Sequence, residues 1–156
     1  MSGKKINAAI VGASGYSGEE LVRLLLGHPH VNLSVLTSRQ YAGQAVTSVF
    51  PRFAGHAGAS DLTFSEPSID LLADKAQAVF LALPHGVAAE FAVPLIKRGL
   101  TVIDLSADFR LNDVDTYIEF YGTKHPAPEW LPKAVYGLPE IRRDAIAGAT
   151  LIASPG

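Results

Sequence analysis

The sequence predicts an α/β fold with a doubly wound, mostly parallel sheet of the Rossmann type. Three observations carry that expectation. A glycine-punctuated turn, Gly12-Ala13-Ser14-Gly15-Tyr16-Ser17-Gly18, sits between a short apolar run and an amphipathic stretch. Further runs of strand length recur at 31–36, 78–83, 100–105 and 150–153, with helical patterns between several of them. The run Ala78-Val79-Phe80-Leu81-Ala82-Leu83 is apolar throughout, as a central parallel strand covered on both faces requires. Alternating strands and helices wind into such a sheet, and ligands gather beyond the carboxyl ends of its strands.

Residues 5–11 are short enough for a buried strand, and Leu21, Leu24 and Leu25 share one helical face just after the glycines. Glycines let the backbone turn tightly and approach a pyrophosphate without a Cβ in the way. The N–H groups and positive dipole at the helix start then hold the phosphates. The spacing is Gly-x-x-Gly-x-x-Gly, a variant of the Gly-x-Gly-x-x-Gly pattern, and Ser14 and Ser17 add hydroxyl donors. The other reading is an ordinary turn with Ser17 and Glu20 as a capping box, although three glycines exceed what a cap needs. Gly27-His28-Pro29 stops the helix, and 31–36 forms the second strand. NAD-binding units place a carboxylate at the end of that strand to accept from the ribose 2′-OH. Here the end reads Thr37-Ser38-Arg39-Gln40. A guanidinium and a hydroxyl suit a 2′-phosphate, so NADP(H) is the expected cofactor, read by Ser38 and Arg39. A solvated surface arginine is the alternative.

Residues 40–60 are rich in Gly, Ala, Ser and Pro; they predict a short helix within 41–50 ended by Pro51, and an exposed loop around His56. A weak third strand is expected at 61–64 and a helical turn at 69–72. Pro84-His85-Gly86 ends the strand at 78–83; a helix over 87–98 contains Pro94 and closes at Gly99. The next strand, 100–105, runs into Ser106-Ala107-Asp108-Phe109-Arg110. His85, Ser106 and Arg110 thus follow strand ends, where ligands bind. His85 either faces a ligand or bonds a neighbouring carbonyl. Ser106 either sits beside the nicotinamide or caps the next segment. Arg110 either binds an anionic substrate or pairs with Asp108 or Asp113. A helix at 113–121 carries Tyr117, Phe120 and Tyr121, a proline-rich loop holds Trp130, and that aromatic clustering reads as packing. A helix at 141–147 and a strand at 150–153 complete the pattern.

The expected cofactor site is therefore Gly12, Ser14, Gly15, Tyr16, Ser17, Gly18, Ser38, Arg39, Leu83, Pro84, His85 and Ser106, with Arg110 on the substrate. No metal site is expected: His28, His30 and His125 are isolated or beside prolines. Apolar residues make up 48% and charged residues 18%, which argues against disorder and for one dinucleotide-binding domain over 1–156. A net charge of −2 gives no pull toward nucleic acid or an anionic membrane. No apolar run reaches the ~18 residues of a membrane span, and no signal-peptide core follows the first lysines, so a cytoplasmic location is expected. The absence of cysteine excludes disulfides and thiolate metal sites within these residues. No Tyr-x-x-x-Lys or Gly-Lys-Ser/Thr run is present, which argues against a short-chain dehydrogenase and a P-loop nucleotidase.

Four motifs in order support a closer comparison: the glycine turn, Ala82-Leu83-Pro84-His85-Gly86, Asp104-Leu105-Ser106-Ala107-Asp108-Phe109-Arg110 and Tyr136-Gly137-Leu138-Pro139-Glu140. In these the chain resembles the amino-terminal part of the N-acetyl-γ-glutamyl-phosphate reductase family, over essentially its whole length. The resemblance implies NADPH-dependent reduction of a small-molecule acyl phosphate to its semialdehyde in arginine biosynthesis. In that family a Ser/Asn-Pro-Gly run is followed by the catalytic cysteine, so the resemblance implies that the nucleophile would follow Gly156. The resemblance likewise implies that the family's substrate domain, with its histidine and its homo-oligomer-forming sheet, is expected outside these 156 residues. Because the reaction needs a thiolate, the chain by itself is expected to hold NADP(H) and catalyse nothing. The lysine-pathway aminoadipyl-phosphate reductase is a close relative of the same pattern. Aspartate-semialdehyde dehydrogenase shares the fold and the glycine pattern, but the Tyr136–Glu140 motif does not suit it. A non-catalytic NADP-binding module is the reading of a different class.

Overall fold

A computed structural model of the chain describes residues 4–156. The chain forms two compact units, one closing at Ala82 and one running from Leu83 to Gly156.

In the first unit the strands are β1 (Ile6–Val11), β2 (Val31–Thr37), β3 (Phe64–Ser65) and β4 (Ala78–Leu81), paired in parallel in the order β3-β2-β1-β4. Ala8, Ala9, Ile10 and Val11 of β1 are all buried. Successive strand residues face opposite ways, so both faces of β1 are covered, as its uninterrupted apolar character predicts. Helix α1 (Tyr16–Leu26) buries Gly18, Val22 and Leu25. The apolar face expected around Leu24 is rotated: Leu24 remains 52% exposed, and the inward stripe starts at a glycine that no hydrophobicity pattern marks. Ile10, Leu36, Phe53 and Phe64 join this cluster, each such side chain contributing roughly 1.5–3 kcal/mol of burial.

The expected short helix within 41–50 contracts to α2 (Val46–Val49), with a separate 3₁₀ turn at Pro51–Phe53. An antiparallel bridge joins Ala45 to Thr63, and the third strand starts only at Phe64. The expected turn at 69–72 is longer, a helix α3 (Ile69–Lys75) whose first turn is held by Ser68 Oγ accepting from Leu71 N–H at 3.3 Å.

In the second unit β5 (Thr101–Asp104), β6 (Val135–Tyr136) and β7 (Leu151–Ala153) pair in parallel in the order β5-β7-β6. The two-residue β6 is too short to show alternation in sequence. Helix α4 (Ala88–Lys97) accommodates Pro94 and buries Ala88, Ala89, Phe91, Ala92 and Leu95. Helix α5 (Val114–Tyr121) is capped by Asp113, whose carboxylate accepts from Thr116 N–H at 2.8 Å. Helix α6 (Pro139–Ala147) opens on a proline at its first position, two residues earlier than the apolar pattern suggests.

Candidate functional site

The glycine turn joins β1 to α1 as the sequence requires. Gly12 has φ 79°, a left-handed conformation that side chains disfavour. Gly18 has a different reason: a Cβ there would run into the Gly12 carbonyl and lie 2.6 Å from Ala13 Cα. Gly15 is the N-cap of α1, and a Cβ on it would meet only Gly12 O, at an ordinary 3.6 Å. No side chain caps this helix, so the alternative of a Ser17–Glu20 capping box is not realised. Ser17 is exposed inside the first turn, and the Glu20 carboxylate accepts instead from Arg23 Nε at 2.9 Å.

The turn is stitched to the end of β2. Ala13 N–H donates to Thr37 O at 2.9 Å, and Ser14 Oγ lies 2.7 Å from Ser38 Oγ. Ser38 is buried and its hydroxyl also accepts from Tyr41 N–H at 3.2 Å. Arg39, the next residue, is exposed, and Tyr16 is 97% exposed. The first unit thus brings Gly12, Ser14, Gly15, Gly18 and Ser38 together, with Arg39 immediately after. A helix start without a side-chain cap, a glycine N-cap open to approach and a cation at the end of β2 fit the phosphates of a dinucleotide.

In the second unit His85 follows Pro84 in an exposed loop before α4, with Leu83 half-buried behind it. Its ring is not bonded to a carbonyl. Nδ1 lies 2.8 Å from Asp108 Oδ1, Nε2 lies 3.3 Å from the Tyr117 hydroxyl, and the ring stacks on Tyr121 with centroids 4.5 Å apart. The aromatic cluster read as packing therefore also frames a candidate site residue.

Asp108, wholly buried, accepts from Gly86 N–H at 2.7 Å and from Ala88 N–H at 3.0 Å. Ser106 Oγ donates to Asp104 Oδ2 at 2.8 Å and accepts from Asp108 N–H at 3.1 Å, so it struts this loop. Burial pushes the Asp104 carboxyl up to about 6, against hydrogen bonds from Ser106 that act the other way. Arg110 pairs with neither Asp108 nor Asp113. Its Nε donates to Ser154 O at 2.7 Å and its Nη2 to Leu105 O at 2.9 Å, bracing the exits of β5 and β7. His125 is buried: Nδ1 accepts from Ala127 N–H and Nε2–H donates to Asp108 O, and burial holds its pKa below the usual imidazole value.

The sequence marks none of Asp104, Asp108 and Tyr117 as a site residue: Asp108 is there only an alternative partner of Arg110, and Tyr117 reads as packing. The every-second-residue spacing of Asp104, Ser106 and Asp108 after a strand hints at a bonded loop, but nothing local links Asp108 to His85. Among the described residues no group of three or more His, Asp or Glu side chains could hold a metal ion, and no helix is long and apolar enough to cross a membrane.

The profile of the semialdehyde dehydrogenase NAD binding domain matches residues 7–149. The chain belongs to that family. Within the semialdehyde dehydrogenase family the chain is 54% identical over 154 residues to an N-acetyl-gamma-glutamyl-phosphate reductase of Akkermansia muciniphila, covering 98% of the chain and 44% of the relative. It is 51% identical over 152 residues to a [LysW]-L-2-aminoadipate/[LysW]-L-glutamate phosphate reductase of Saccharolobus solfataricus, covering 97% of the chain and 42% of the relative. The chain thus spans less than half the length of these relatives. A solved aspartate semialdehyde dehydrogenase II from Vibrio cholerae superposes with a TM-score of 0.66 at 20% identity, over 98% of the chain and 42% of that structure. That likeness confirms the doubly wound parallel fold of this NAD(P)-binding domain.

Proposed function

We propose that this chain is the NADP(H)-holding part of an acyl-phosphate reductase that converts N-acetyl-γ-glutamyl phosphate to N-acetylglutamate semialdehyde. The observation that carries the reading is the coupling of the glycine turn to a basic, carboxylate-free strand end, through the 2.7 Å contact of Ser14 with Ser38 beside Arg39. When bound, the nicotinamide would supply or accept the hydride. The chain's own residues bind and orient. Gly12 and Gly18 shape the turn, Gly15 leaves the helix start open, and Ser14 and Ser17 offer hydroxyls to phosphate. Arg39 meets the 2′-phosphate with Ser38 behind it. In the second unit, taken by itself, Leu83, Pro84 and His85 are the residues offered to the cofactor, with Ser106 holding the Asp104–Asp108 loop.

Arg110 spends two donor directions on carbonyls, and its remaining N–H groups are those left for a substrate anion. The covalent step of acyl transfer needs a thiolate, which these 156 residues do not contain.

Titration of NADPH and NADH against wild type and Arg39→Ala tests the cofactor choice. NADPH should bind more tightly, and Arg39→Ala should weaken NADPH alone by about ten- to a hundredfold, equivalent to ~1.5–3 kcal/mol. Equal affinity of the wild type for the two cofactors would refute it. The substrate is tested by joining this chain to a cysteine-bearing half of the relatives' kind. That protein should reduce NADP⁺ with N-acetylglutamate semialdehyde and phosphate, whereas the chain alone should not. The second reading, a reductase of carrier-bound aminoadipyl phosphate, rests on the 51% identity to the LysW-dependent relative. Turnover of that semialdehyde only would select it. NADPH binding with no turnover of either semialdehyde by the joined protein would favour a non-catalytic module.

A further inference from the structure

Asp108 is a buried carboxylate with no place in the cofactor reading, and its partners point one way. Helix α4 has Val87 at its N-cap and no side-chain cap. Asp108, twenty residues beyond Ala88, supplies one: Oδ1 accepts from Gly86 N–H at 2.7 Å and Oδ2 from Ala88 N–H at 3.0 Å. The His85 Nδ1 lies 2.8 Å from the same Oδ1. Both oxygens already serve backbone donors, so the carboxylate meets the imidazole as an acceptor and Nδ1 carries the hydrogen.

The opposite nitrogen faces a hydroxyl, with Nε2 3.3 Å from the Tyr117 oxygen. Tyr117 is 1% exposed, and burial raises its phenol to about 12, so it keeps its hydrogen. Tyr121 covers one face of the ring. The His85 side chain nevertheless stays 38% exposed, enough for a ligand to reach it. His125 in the same unit has the reverse arrangement, Nδ1 accepting from Ala127 N–H and Nε2–H donating.

We propose that Asp108 is the positioning residue of the His85 loop. It fixes the imidazole as the Nδ1–H form, leaving Nε2 as the acceptor, at which a ligand donor would take the place of the Tyr117 hydroxyl now 3.3 Å away. Building on the reading of His85 as a cofactor-facing group, the ligand atom it suits is a donor, a ribose hydroxyl or a carboxamide N–H.

The ring nitrogens of the ¹⁵N-labelled chain, observed by NMR at mildly alkaline pH where imidazoles are neutral, test this directly. His85 should show a protonated Nδ1 and a bare Nε2, with His125 giving the opposite pattern as an internal reference. Asp108→Ala removes both acceptor oxygens; His85 should then shift to the Nε2–H form and NADPH affinity should fall about tenfold. Tyr117→Phe removes the hydroxyl but not the acceptor, so the Nδ1–H pattern should persist. An Nε2–H ring at His85 in the wild type overturns the proposal even if Asp108→Ala fails to fold, as does an Asp108→Ala spectrum identical to wild type. Failure of the wild type to bind NADPH would overturn the cofactor reading instead, while the ring spectrum still decides the role of Asp108.

Discussion

The glycine turn of the first unit and the His85 loop of the second both follow parallel strands, yet they are built by opposite means. The turn is backbone chemistry: a left-handed Gly12, a helix approaching so closely that residue 18 has no room for a Cβ, and an N-cap without a side chain. Its parts lie within seven consecutive residues. The His85 loop is side-chain chemistry assembled across sequence, with Asp108 and Tyr117 brought to one imidazole from after β5 and from α5. Local construction makes a motif that can be read; distributed construction makes a site that must be seen.

Substitutions sharpen that contrast, the most damaging first. Gly18→Val should abolish cooperative unfolding, because the clash is with backbone that no rotamer relieves, beyond the ~1–3 kcal/mol of ordinary overpacking. Gly15→Val, whose Cβ has only an ordinary contact to meet, should keep a wild-type circular dichroism spectrum while losing NADPH binding. A Gly15 variant that binds normally would reduce the glycine run to a turn. Asp108→Ala should cost roughly 3–4 kcal/mol in urea unfolding, since it strands two backbone N–H groups and the His85 ring. A loss below about 1 kcal/mol would show that water serves those donors.

Asp104 gives a pH test. Its folded-state pKa, raised by burial to about 6 from 3.8, means the folded chain binds the extra proton between those values. Stability should therefore fall by about 2–3 kcal/mol as pH rises from roughly 4 through 6, and Asp104→Asn should flatten that fall. The lowered pKa of His125 acts with the opposite sign, its contribution being lost as pH drops below the ordinary imidazole value. Subtracting the variant's pH profile from that of wild type isolates the Asp104 part. Smallest of all, Ser68→Ala should cost about 1 kcal/mol by removing the α3 cap, with no effect on cofactor affinity.

The strand–turn–helix of the first unit was legible because β1 is apolar on both faces and the glycines punctuate it. The lengths of α2 and α3 were not, because Ser68 is a cap that only its bond to Leu71 reveals, and Ala45 bridges Thr63 rather than continuing a helix. Leu24 was misplaced because the helix turns a glycine inward. In the second unit His85, Ser106 and Arg110 could be singled out by position alone, but not their partners. Arg110 suggested an ion pair with Asp108 or Asp113, and the fold gives it two carbonyls. No periodicity encodes a contact made by a loop end with a strand two places further along the chain.

The contact between Ser14 and Ser38 has a consequence for how a charge would be felt. A hydroxyl is a rotor with one hydrogen, and the Tyr41 amide already points its own hydrogen at Ser38. An anion beside Ser14 draws that residue's hydrogen outward, which leaves Ser38 to donate to Ser14. Three dipoles then align head to tail, from the amide of Tyr41 through two hydroxyls to the charge, and each polarises the next. The turn would thus sense an anion in concert with the backbone beyond β2, two residues past Arg39.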